Sequence, residues 1–145
     1  MFDYQHAFVP TALACAAGAE ALKGDVYDSA STSTKEFEGY PQRAPKLFCS
    51  GKVTGAAATV RCRLVAASDA ALTADLVTIA DTGTSPSIAD GDNFHFEVPA
   101  MGQSSARRYY GVLVTVTGVG ATATLVAGVK QAPQNNMPYK KAAVP

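Results

Sequence analysis

The stretch "RRYYGVLVTVTGVGATATLVAGVKQ", Arg107 to Gln131, decides the fold class. Its residues alternate with period two over two runs rich in Val, Thr and Tyr, which suit a pleated, half-buried surface. In the first run Tyr110, Val112, Val114 and Val116 share a face, opposite Tyr109, Gly111, Leu113 and Thr115. In the second run Ala123, Leu125, Ala127 and Val129 align. Because the two apolar faces match and Gly118-Val119-Gly120 offers a tight turn between them, the stretch reads as a β-hairpin. Thr115, Thr117, Thr122 and Thr124 then form its threonine-rich outer face. Nothing in it carries reactive chemistry, so the strongest pattern in the chain is structural.

The same period runs upstream. "KLFCSGKV" from Lys46 is a strand, and "TVRCRLVAAS" puts Val60, Cys62 and Leu64 on one face with Arg61 and Arg63 on the other. "DLVTIADTG" ends on a turn at Asp81-Thr82-Gly83, and Asp90-Gly91 supplies another before "FHFEVP". There, Phe94, Phe96 and Val98 oppose His95 and Glu97, and Pro99 stops the run. Strands that end on turn chemistry predict an all-β, antiparallel β-sandwich over 45–131. A jelly roll is the preferred winding, ahead of an immunoglobulin-like Greek key, whose Trp and cysteine spacing are lacking.

Before Pro45 the texture changes. Residues 1–44 read as an irregular N-terminal arm, extended or with one short helix: "MFDYQHAF" has aromatics without a period, "TALACAAGAEALKG" could make one short helix ending at Gly24, and "DSASTSTKEFEGYPQRAP" is polar. Residues 132–145, "APQNNMPYKKAAVP", read as an extended C-terminal tail.

The chain of 145 residues balances 12 basic against 12 acidic side chains, and its charged fraction is only 17%. Without a net field, electrostatic capture of nucleic acid or of an anionic membrane is not expected. So sparse a charge suits a subunit that buries surface in an assembly. Three cysteines, Cys15, Cys49 and Cys62, make an odd set without paired spacing, and reduced thiols are expected. "HAFVPTALACAAGAEA" is apolar, yet Asp3 is the only charge before it and Pro10 interrupts it, so an export signal is not expected.

Reactive constellations fail on their own geometry. His95 and Glu97 project from one strand face as in cupin metal sites, but such chemistry wants three or four ligands. "CSGKVTG" lacks the leading glycine of a phosphate loop, "DGDN" lacks the closing Glu of a calcium loop, and Arg107-Arg108 beside Tyr109-Tyr110 is too little for a nucleic-acid groove. The expectation is a non-enzymatic protein without catalytic residues, metal or cofactor.

In the order of its segments, the second half resembles the jelly-roll capsid cement, or decoration, proteins of tailed bacteriophages. The likeness runs through "VRCRLVAASDAAL", "DGDNFHFEVP" and "RRYYGVLVTVTG…ATATLVAGVKQ", about Val60 to Gln131, with Tyr139 in the exit. This resemblance implies a virion protein, made in the host cytoplasm, that binds the outside of an expanded head. It implies a homotrimer whose partner is the major capsid protein, with neighbouring capsid subunits tied together. Reach of that kind falls to the arm and tail, with Phe2, Tyr4 and Phe8 as apolar anchors and Lys140 and Lys141 as rim charges. The alternative is a carbohydrate-binding or adhesin-type sandwich of a tail or cell surface, presenting Tyr27, Tyr40 or Tyr109.

Overall fold

The computed structural model describes residues 4–28, 46–99 and 107–130. Eight strands make up its regular structure: β1 (Tyr4–Ala16), β2 (Gly18–Asp28), β3 (Lys46–Thr54), β4 (Thr59–Ala67), β5 (Val77–Asp81), β6 (Asn93–Pro99), β7 (Tyr109–Thr117) and β8 (Thr122–Lys130). They form two four-stranded sheets with orders β1-β8-β3-β6 and β2-β7-β4-β5. All pairings are antiparallel, and they nest: β1 with β8, β2 with β7, β3 with β6 and β4 with β5. Two further ladders, β3 with β8 and β4 with β7, join the nested pairs within each sheet. The chain is an antiparallel β-sandwich.

Alternation drives the burial. In β4, Val60, Cys62 and Leu64 are fully buried while Arg61 and Arg63 stand on the outer face. Tyr110, Val112, Val114 and Val116 of β7 meet Ala123, Leu125, Ala127 and Val129 of β8 in one core, together with Leu47, Val53 and Ile79. A second, smaller apolar cluster lies on the outside of the β2-β7-β4-β5 sheet. It joins Val65, Ala67, Leu72 and Leu113, with Leu22, Val26 and Tyr109 packed against them. The β4–β5 connection delivers its lid. The Asp69 carboxylate accepts hydrogen bonds from the backbone amides of Thr73 and Ala74 at 2.8 and 2.7 Å, and from the Thr73 hydroxyl at 2.6 Å. That turn sets Leu72 at φ 58°, an unfavourable left-handed conformation for a large side chain. Leu72 is nevertheless 3% exposed, its side chain lying over Gly111 of β7, where a Cβ would stand 2.5 Å from it.

Two expectations are corrected. The stretch from Arg107 to Gln131 is not a hairpin: β7 lies between β2 and β4, and β8 lies between β1 and β3 in the other sheet. The turn at Gly118–Ala121, closed by the Ala121 amide donating to the Gly118 carbonyl at 3.1 Å, carries the chain across the core. Matching apolar faces report a shared core, which two strands satisfy equally by facing each other across a sandwich. The second correction concerns the arm. Residues 4–28 are not outside the sandwich but form β1 and β2, one in each sheet, so of the two readings, extended or one short helix, the segment takes the extended one. Alanine's helical preference is a weak local bias that tertiary packing overrides. Here Phe8, Val9 and Cys15 are 2%, 2% and 1% exposed in the main core, so β1 contributes to its packing. The sandwich therefore includes the chain from Tyr4 to Asp28. Residues 29–44 of the expected arm and the tail at 132–145 lie outside the described residues.

Candidate functional site

Of the expected contact residues, Phe8 is corrected: it is among the largest fully buried side chains of the sandwich's own core and presents nothing to a partner. Tyr4 opens β1, paired in register with Lys130. Phe2, Lys140 and Lys141 lie outside the described residues.

The polar side chains that the sequence offers for chemistry are engaged locally. His95 Nε2 sits 2.8 Å from Glu97 Oε1 on the exposed face of β6, an edge strand. Among the described residues no group of three or more His, Cys, Asp or Glu is placed to hold a metal ion. In the "DGDN" segment the Asp90 carboxylate accepts from the Gly55 amide at 3.0 Å, while the Gly91 amide donates to the Val53 carbonyl at 2.7 Å. Those bonds close a turn against the β3–β4 connection, as the sequence predicts.

All three thiols are buried. A hydrogen bond with Cys49, reinforced by burial, pushes the Cys62 thiol well above its ordinary range. Burial likewise raises that of Cys15. A thiol held protonated is a poor nucleophile, in keeping with a core role.

Arg61, Arg63 and Arg108 form ion pairs with Asp81, Glu20 and Asp28. Arg61 donates from Nε to Asp81 at 3.0 Å, and that bond is the main reason the Asp81 carboxyl is held below its usual range. Arg63 Nε reaches Glu20 at 2.9 Å and its Nη1 donates to the Thr78 hydroxyl at 2.8 Å, tying β4 to both edges of its sheet. Arg108 contacts Asp28 at 2.6 and 2.9 Å and lies 5.2 Å from the Tyr109 ring centroid. Arg107 Nε donates to the Asp75 carbonyl at 2.9 Å. Tyr27 packs against Tyr110, with ring centroids 6.2 Å apart. Tyr40, the third aromatic considered for sugar stacking, lies outside the described residues.

The geometry instead makes surfaces. At one end of the sandwich a shallow groove of about 400 Å³ is lined by Ala17, Gly18 and the chain from Val116 to Gly120, with no titratable side chain. Beside it Val119 stands 99% exposed. From Thr11 to Ala14 the β1 edge is exposed too. Sequence reasoning missed this edge because the segment was placed in an arm outside the sandwich; the signal available was the absence of any Asp, Glu, Lys or Arg from Tyr4 to Ala19. Among the described residues no helix is long and apolar enough to cross a membrane. Compared with models of protein families and with curated proteins, the sequence returned no match.

Proposed function

We propose that the protein is a non-enzymatic structural component of a tailed-phage virion, a jelly-roll cement protein that binds the outer surface of the expanded head. In this reading it attaches as a homotrimer, touches neighbouring major capsid subunits and raises the force or temperature at which they separate. The carrying observation is the strand order. Nested pairing of β1 with β8, β2 with β7, β3 with β6 and β4 with β5, in sheets β1-β8-β3-β6 and β2-β7-β4-β5, is the order expected if one long double ribbon were wound into two Greek keys. That order supports the fold which the sequence resemblance implies for cement proteins. A charged fraction of 17% and a charge-free sheet edge add support for a subunit that works by contact.

Cementing needs rigid geometry rather than chemistry. The sandwich supplies rigidity through one continuous core, and Phe2, Tyr4, Lys140 and Lys141 are proposed capsid contacts. The test is co-sedimentation of the protein with expanded heads that lack it, paired with the temperature at which those heads release DNA. Saturable binding and a higher release temperature are expected; no binding, or binding without stabilisation, overturns the reading. Sedimentation equilibrium on released complexes checks the trimer.

A further inference from the structure

Each sheet of the sandwich has two edges, and three of the four strands at them carry features that discourage another strand from pairing. β5 has only 5 residues and ends on Asp81. β6 carries His95, Glu97 and Pro99. β2 carries Glu20, Lys23, Asp25 and Asp28. The fourth, β1, is 13 residues long and has no Asp, Glu, Lys or Arg.

Part of the β1 edge is closed off internally. β2 passes so near it that a Cβ on Gly24 would stand 2.0 Å from the Phe8 carbonyl oxygen. Pro10 and the register shifts before Leu13 break up the middle. Beyond them the register is unbroken: Leu13, Ala14, Cys15 and Ala16 pair with Leu125, Thr124, Ala123 and Thr122. On this run Cys15 points inward and is 1% exposed, whereas Leu13, on the same face by period two, is 39% exposed. The difference lies in cover: nothing among the described strands lies beyond β1 in its sheet. A further strand there would cover Leu13.

We propose that the outer edge of β1 from Leu13 to Ala16 is a strand-addition site that takes an extended, uncharged segment of the capsid subunit as a fifth strand of the sheet. This rests on the cement reading. Two features choose the occupant. The run offers no charge for pairing, so the segment it accepts has none facing it. At about 3.3 Å per residue the regular run is roughly 13 Å long, far too little for the ~800 Å² per partner that a free-standing complex needs. Two copies pairing through it would not hold together alone, whereas a subunit seated on a shell by other contacts gains from one more ladder. Backbone bonds would give the addition its affinity and the small side chains Ala14 and Ala16 would let the segment approach closely.

The experiment compares wild type, Leu13→Lys and Leu13→Ala for binding to expanded heads lacking the protein, with backbone amide exchange of residues 13–16 measured with and without heads. In the unbound protein a lysine at this exposed site stays solvated, but beneath an added strand its ammonium would be buried without a partner. Expected are a loss of affinity of roughly tenfold or more for Leu13→Lys, a change within a few-fold for Leu13→Ala, and slowed exchange at 13–16 on binding. Equal binding by Leu13→Lys, with exchange unchanged, overturns the inference and leaves the cement reading standing. No binding by wild type overturns both. Self-association with 13–16 protected in the absence of heads assigns the edge to a second copy and overturns the capsid occupant. Should Leu13→Lys not fold, exchange in wild type decides alone.

Discussion

The two ends of the sandwich are built on opposite plans. At one end three of the turns are short and rich in alanine and glycine: Ala17 between β1 and β2, Gly55 to Ala58 between β3 and β4, and Gly118 to Ala121, with the exposed Val119, between β7 and β8. Their backbones touch. The Ala17 amide donates to the Ala121 carbonyl at 3.0 Å, and a Cβ on Gly55 would stand 2.5 Å from the Gly120 carbonyl oxygen. At the other end the chain enters and leaves the described strands beside Arg107, Arg108, Asp28 and Asp75, and the β4–β5 loop folds over the outer sheet face. The first end is held mainly by main-chain contacts, with the Asp90 carboxylate on the Gly55 amide as a side-chain tie, and the second by side chains. An error of one methyl group therefore has a different cost at each.

Gly55 provides the largest break. It has φ +92° and faces the Gly120 carbonyl, so Gly55→Val meets both a disfavoured backbone and a main-chain clash that no rotamer relieves. Loss of several kcal/mol is expected, read as a fall in the denaturant midpoint or as failure to accumulate folded protein. At the opposite end Leu72→Ala removes a side chain that is 3% exposed but held in a strained backbone, and it costs about 2–4 kcal/mol. Because Leu72 belongs to the outer cluster, the main core should remain assembled, with amide exchange quickening in 68–76 before elsewhere. A loss confined to that loop sharpens the contrast; a global loss as large as that of Gly55→Val erases it.

Acid makes the smallest change. Asp69, through hydrogen bonds from the Ala74 amide first and then Thr73, and Asp81, through Arg61, both have carboxyls held below their usual range. A carboxyl lowered in the folded state contributes stability above its unfolded value of about 3.9 and loses it as pH falls through the folded one. The melting temperature should therefore be flat near neutrality and fall below about pH 4. Asp69→Asn should flatten the part of that fall reported by Thr73 and Ala74 exchange. Loosening of the β4–β5 loop at pH 6 would contradict this.

Much of the sandwich was legible in the sequence wherever one face of a strand is polar. β4 and β6 alternate cleanly, since Arg61, Arg63, His95 and Glu97 face outward, and Cys62 was recognisable as core by its neighbours. β7 and β8 were legible as strands but not as members of different sheets, because period two fixes a face and carries no information about the neighbour. β1 and β2 were illegible for a different reason. "TALACAAGAEALKG" is rich in good helix formers, and its strand state depends on pairing with β8 and β7 at partners far along the chain, as at Leu13↔Leu125 and Lys23↔Val112. The local engagement of His95 with Glu97 was foreshadowed by their i, i+2 spacing. The Leu72 lid was not, since it requires Gly111 from a distant strand to leave room.

The pairing of Tyr4 with Lys130 sets a timetable for folding. A chain emerging from the ribosome from its first residue onward exposes β1 early, yet the strand that must pair with it is the last of the eight to appear. Nested ladders of this kind place large loop-closure entropy before the contacts that reward it, so folding belongs in the slow, millisecond-to-second class typical of such β topologies. During the wait the nascent chain carries an apolar strand without a single gatekeeper charge between Tyr4 and Ala19. Crowded synthesis therefore favours intermolecular pairing of unfinished chains, and soluble yield should rise when translation is slowed or the temperature lowered.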